Sequence, residues 1–165
     1  RWNTLLTALQ QFKDDYDKNQ PMWRILPEFA AAHPRYERVG LRDLCQQIHE
    51  AYTSHNVARM TTEMYLSDMQ PAMKPSDAFA KMAHDEIDRV EIDDLEGRIT
   101  AVLLTPYPPG IPLLIPGEIF NKTIVNYVKF ARDFNQKFPG FETDVHGLVA
   151  EVVDGQKRYF VDCVK

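Results

Sequence analysis

Cysteine is scarce in this chain and glycine is sparse, with two and seven residues respectively in 165. Cys45 and Cys163 show no spacing pattern, which excludes a disulfide-stapled scaffold and points to free thiols in a reducing compartment, the cytoplasm. No apolar run approaches the ~20 residues of a membrane span, and no secretory leader is recognisable. Neither membrane insertion nor export is therefore expected. A net charge of −5 lacks the basic surplus that nucleic acid demands. There is no Gly-x-Ser-x-Gly elbow for a serine nucleophile. There is also no Walker loop and no Gly-x-Gly-x-x-Gly turn to cradle phosphate. The chain opens Arg1-Trp2-Asn3 without methionine, which suggests a piece of a longer polypeptide. The remainder, 44% hydrophobic and 26% charged, is ordinary for one globular domain. Residues 1–165 are expected to form a single domain with a real core.

Proline is the exception. Five of the eleven prolines fall in the thirteen residues from Pro106 to Glu118. Each fixes φ near −65°, lacks an amide donor, and pushes the preceding residue toward extended backbone. The stretch reads as a rigid apolar path with two glycine pivots, Gly110 and Gly117. Such a path either connects two halves of a core or holds Tyr107 and Glu118 still.

Around it the periodicity divides in two. Residues 2–17 carry Trp2, Leu5, Leu6, Leu9, Phe12 and Tyr16 at helical spacing. A short helix interrupted at Pro27 is expected over 22–32. Another runs over 41–54 with Leu41, Leu44, Cys45, Ile48 and Tyr52 as its stripe, which would bury an inert Cys45. Helices also read over 57–66, from Pro75 onward at the favoured first position, and over 121–138 with Asn121 or Thr123 as cap. Strand periodicity appears at 88–92, and 99–105 reads as a β-branched, more central strand. Residues 148–153 and 157–164 form two strands joined by Asp154-Gly155, a hairpin signal. The expected class is α+β: a helical first half, then a small, mostly antiparallel sheet with one covering helix and a C-terminal hairpin.

Chemistry-bearing constellations are few. Cys45 and His49 stand four apart on a helix, but the cysteine lies on the apolar stripe. Glu142, Asp144 and His146 alternate, so an extended chain puts all three on one face. They read either as ligands of a divalent cation or as a polar face bonded to loop amides; no metal is the preferred reading.

Longer motifs carry a resemblance. Tyr107-Pro108-Pro109-Gly110-Ile111-Pro112, Pro116-Gly117-Glu118 and Phe138-Pro139-Gly140-Phe141-Glu142-Thr143-Asp144-Val145-His146-Gly147 resemble the C-terminal domain of the bacterial Orn/Lys/Arg decarboxylases. So do Gly97-Arg98-Ile99, Gly40-Leu41-Arg42-Asp43-Leu44, Phe12-Lys13 and Tyr16-Asp17. The resemblance runs in order along the whole chain. It implies part of a fold-type-I, pyridoxal-phosphate-dependent enzyme that removes the α-carboxyl of lysine, ornithine or arginine and consumes a proton. In that family a Ser-x-His-Lys lysine holds the cofactor as a Schiff base. The motif is absent here, so this segment alone is expected to bind no cofactor and to be inactive. The implied partners are the remaining domains of the same enzyme, in a homodimer or higher oligomer. The resemblance places Tyr107 at the substrate-pocket rim. Glu118 is a second candidate there, as an attractor of cationic substrate, or else is only a first-turn charge. Pro108, Pro109, Gly110, Pro112, Gly117, Gly140 and Gly147 are the structural residues of the motifs. The alternative function is a stand-alone interaction module of the same fold without catalysis. The choice among the three amino acids is not legible in these residues.

Overall fold

A computed structural model describes residues 2–107 and 109–165. Pro108 of the first motif, like Arg1, lies outside the described residues. The chain forms two compact units. One, helical, holds the described residues up to His55 together with Phe138–Gly140; the other, mixed, holds Asn56–Lys137 and Phe141–Lys165.

In the helical unit, α1 spans Trp2–Asp17, α2 Met22–Ile25, α3 Pro27–Ala32 and α4 Leu41–Ser54. The expected helix over 22–32 is thus two. Pro27 opens the second at its first position, where the missing amide costs nothing. Asn19 leaves α1 at φ 49° and turns its side chain onto the start of α4. Its Nδ2 donates to Asp43 Oδ2 at 2.8 Å, and its Oδ1 accepts the Asp43 amide at 3.2 Å. This closes one of the orphan donors at the head of α4. Leu41, Leu44 and Ala51 are buried, whereas Cys45 is only half-buried, because it sits at the margin of the stripe. Gly140 packs here: a Cβ on it would lie 2.7 Å from the Phe29 ring. Phe29 in turn stacks on the buried Tyr36 at 5.7 Å. The stripe of α1 was legible, but none of its residues is buried; Trp2 is 82% exposed and Leu9 57%.

The mixed unit contains α5 (Val57–Leu66), α6 (Pro75–Ala83), β1 (Ile87–Glu91), β2 (Thr105–Tyr107), α7 (Lys122–Lys137), β3 (Asp144–His146), β4 (Val149–Val153) and β5 (Gln156–Val164). The α+β class holds. Strands β1, β5 and β4 form one antiparallel sheet in that order, and β2 and β3 form a second. The turn between β4 and β5 has Asp154 at φ 52° and Gly155 at φ 77°, the two left-handed positions of a type I′ hairpin. Asn121 is the cap of α7: its Oδ1 accepts the Ile124 amide at 2.9 Å. Helix α7 buries Ile124, Val125, Tyr127, Val128 and Ala131 against Ile92, Leu95, Leu104, Phe120 and Val161.

The central strand expected over 99–105 is not formed as one. Residues 99–104 touch their neighbours through isolated bridges, Thr100↔Cys163, Ile99↔Ile119 and Leu104↔Leu114. Buried Thr100 explains the break. Its hydroxyl donates to Val102 O at 2.7 Å and accepts the Val102 amide at 3.2 Å, a local bond that competes with the ladder.

Cys163 is fully buried, and burial pushes its thiol up to about 12. A folded pKa raised above the unfolded value of ~8.5 contributes stability that is full below the unfolded value. That stability is lost as pH rises through the folded value. At neutral pH an alkylating reagent will label Cys45 in the native protein, and Cys163 only in denaturant, as read by intact mass. Equal labelling of both native thiols would contradict this burial.

Candidate functional site

The proline path starts inside a strand. In β2, Pro106 faces the core opposite Val145, while Thr105 pairs with His146 and Tyr107 with Asp144. Alternation then places Thr105, Tyr107, Asp144 and His146 on one face of the two-stranded sheet. Two edge strands are the setting in which a proline costs no ladder bond.

Tyr107 is the centre of this face. It is 48% exposed. Its ring lies 4.7 Å from the His146 ring with planes 31° apart, within the range of a favourable aromatic pair. On another side the loop closes against it. Gly110 donates its amide to Pro106 O at 2.8 Å and stands at φ +80°, and a Cβ there would lie 3.0 Å from Tyr107 Cε1. Glycine is thus needed at 110 both for the turn and for the ring. His146 donates from Nε2 to Asp144 Oδ2 at 3.0 Å. The result is a Tyr–His–Asp row, held from one side by strand pairing and from the other by a tight turn.

The rest of the path is anchored. Tyr65 Oη donates to Ile111 O at 3.1 Å, and burial raises the Tyr65 pKa, which keeps the phenol a donor. Leu113 and Leu114 are buried and bond Leu104; Pro109 and Pro112 are exposed. Gly117 is a junction: its amide reaches Thr100 O, and its carbonyl accepts the amides of Ala72 and Met73. Gly147, at φ +96°, follows His146 where a Cβ would strike Leu103 O at 2.4 Å.

Glu118 does not join Tyr107. Its Oε2 accepts the Ile115 amide at 2.8 Å, which ties the end of the path into a turn. Of the alternating residues 142, 144 and 146, the structure joins Asp144 and His146. Among the described residues, no three His, Cys, Asp or Glu side chains form a group fit for a metal ion. The contact of His146 with Tyr107 was missed in the sequence. The alternation of 142–146 marked its face, but nothing local to either segment marks their pairing.

A family model described as Orn/Lys/Arg decarboxylase, C-terminal domain, matches residues 58–165, which takes in all of the mixed unit's strands. The chain is 45% identical to lysine decarboxylase LdcA of Pseudomonas aeruginosa, covering 100% of this chain and 22% of that protein. It is 34% identical to the biodegradative arginine decarboxylase of Escherichia coli, again over 100% of this chain and 22% of the relative. The solved structure of lysine decarboxylase A from Pseudomonas aeruginosa superposes with a TM-score of 0.92 at 45% identity, covering 99% of this chain and 22% of that one. The chain therefore spans about a fifth of the length of the curated relatives it matches.

Proposed function

Because the chain belongs to the Orn/Lys/Arg decarboxylase C-terminal domain family, we propose that it is the part of a basic amino-acid decarboxylase that shapes the substrate entrance. The observation that carries this is the Tyr107–His146 pair, an exposed aromatic row fixed by a tight turn and a strand ladder. A rim residue needs this, since a displacement of about 1 Å near a reacting centre costs about 100-fold in rate. Residues 1–165 would serve as one segment of the enzyme. Glu118 sets the path's end through Ile115 and acts on a cationic substrate through its field.

Pyridoxal phosphate, where it is bound, supplies the electron sink for loss of the α-carboxyl. The residues here do not fit its covalent seat. Among the described residues no lysine is buried, and the half-buried ones are taken, Lys81 by Glu86 and Lys129 by Asp93. The cofactor belongs to other residues of the same enzyme, and this chain's share is to position and to pack.

The exposed stripe of α1, from Trp2 to Phe12, is the surface for that packing on the remaining domains. A homodimer or larger assembly in the cytoplasm is part of the same reading, without nucleic acid. Among the described residues no helix is long and apolar enough to cross a membrane. The full-length polypeptide that carries this chain, supplied with pyridoxal phosphate, will release carbon dioxide from at least one of L-lysine, L-ornithine and L-arginine. Release from none of the three would overturn the reading and favour a non-catalytic interaction module.

A further inference from the structure

The carboxylates on the strands of the three-stranded sheet, and that of Asp93 beside it, are ion-paired to lysine or arginine. Glu91 takes Arg158, Asp162 and Glu151 share Arg89, Asp88 takes Arg98, and Asp93 takes Lys129 and Arg132. At Asp93 burial opposes ionisation, yet the bonds from Lys129 and Arg132 outweigh it and hold the carboxyl below its usual range. Asp144 is different. Among the described residues no lysine or arginine pairs with it, and its ion-pair partner is the His146 imidazole. Its side chain is 67% exposed, and it stands directly opposite Tyr107 in the ladder.

An imidazole spacer has a chemical consequence. A lysine or arginine beside Asp144 would cancel its charge permanently. The imidazole donates one hydrogen bond from Nε2 and fixes the carboxylate without being a permanent cation. The same ring packs on Tyr107, so one residue orients both the carboxylate and the phenol. A second feature on this face points the same way. Thr105, cross-strand from His146, has a buried hydroxyl with no hydrogen-bond partner among the described residues. The face thus offers a carboxylate without a lysine or arginine partner and an exposed phenol, beside an unpartnered buried hydroxyl, and among the described residues it lacks the third ligand that a metal would need. An extended aliphatic chain ending in an ammonium or guanidinium matches this set, since charge-assisted hydrogen bonds to a carboxylate are the strong ones.

We propose that Asp144 is the specificity-determining carboxylate of the rim. It receives the distal cation of the basic amino acid, and His146 is the positioning residue that aims it. The proposal rests on the reading that Tyr107 lines the substrate entrance.

The test uses the full-length enzyme with whichever of L-lysine, L-ornithine or L-arginine it turns over best. L-Norleucine, a chain of similar length ending in methyl, serves as the neutral competitive probe. Asp144→Asn will raise KM for the cationic substrate about 10- to 100-fold, the scale of one charged hydrogen bond. It will leave kcat and the norleucine inhibition constant within about 3-fold. Asp144→Glu, which keeps the charge, will stay nearer the native KM and carries the comparison if the asparagine variant folds poorly. His146→Ala will raise KM, and His146→Gln, which keeps an N–H donor, will recover most of the loss. An unchanged KM in Asp144→Asn overturns the proposal, as does an equal rise in the norleucine constant. If Tyr107→Ala still lowers kcat/KM in that case, the entrance reading survives alone; if Tyr107→Ala is also silent, both fail.

Discussion

Gly117→Ala will lower the denaturant stability of the chain by about 3–5 kcal/mol, a large loss for a single added methyl group. Two effects add. Gly117 sits at φ +96°, a conformation that costs a side-chain-bearing residue on the order of 1–3 kcal/mol. Its Cβ would also lie 2.4 Å from Met73 O and 3.1 Å from Met73 C. Those are backbone atoms, so no rotamer relieves the clash. Retreat of either segment breaks the bonds that Gly117 makes to Thr100, Ala72 and Met73, each worth about 1 kcal/mol. Gly97→Ala is the control. Gly97 has φ +82° with nothing within 4 Å of the added atom, so conformational strain of about 1–3 kcal/mol acts there alone. Equal losses at the two positions, read from urea midpoints, would show that the Met73 contact contributes nothing.

Much of this architecture is local, and local features were readable. Helices α1, α4 and α5 begin and end where the apolar period and Asn19, Gly40 and Asn56 indicate. The β4–β5 hairpin follows from Asp154-Gly155 because left-handed backbone at two successive positions selects those residues. What was not readable is long-range. Residues 99–104 have strand composition, yet the Thr100 hydroxyl captures its own backbone two residues on. β-Propensity reports fit to a pleated surface and is blind to such a bond. Strands β2 and β3 are three residues each, too short for periodicity to register, and their pairing joins residues some forty apart. The Tyr107–His146 contact therefore needed the structure, although both residues lie in motifs that stood out by composition. The stripe of α1 shows the converse limit. Periodicity identifies an apolar face but not what covers it, and here the face is exposed.

The central claim is that the proline path exists to hold Tyr107 at a substrate entrance rather than to join two parts of a core. Tyr107→Ala in the full-length enzyme separates the two. Tyr107 is half-exposed and packs on the His146 ring. Its loss thus forfeits an aromatic pair worth about 0.5–1.5 kcal/mol. That corresponds to a fall of at most a few degrees, since even a domain of 150–250 residues shifts only roughly 2–4 °C per kcal/mol and a longer chain shifts less. A rim residue that orients substrate controls far more, since misplacement by about 1 Å costs about 100-fold. The decisive measurement is kcat/KM of Tyr107→Ala alongside its cofactor content and thermal midpoint. A fall of about 100-fold with cofactor content unchanged and the midpoint within a few degrees is the expected result. A native kcat/KM, or a collapse of the midpoint that takes activity with it, would show that the path is only a structural connector.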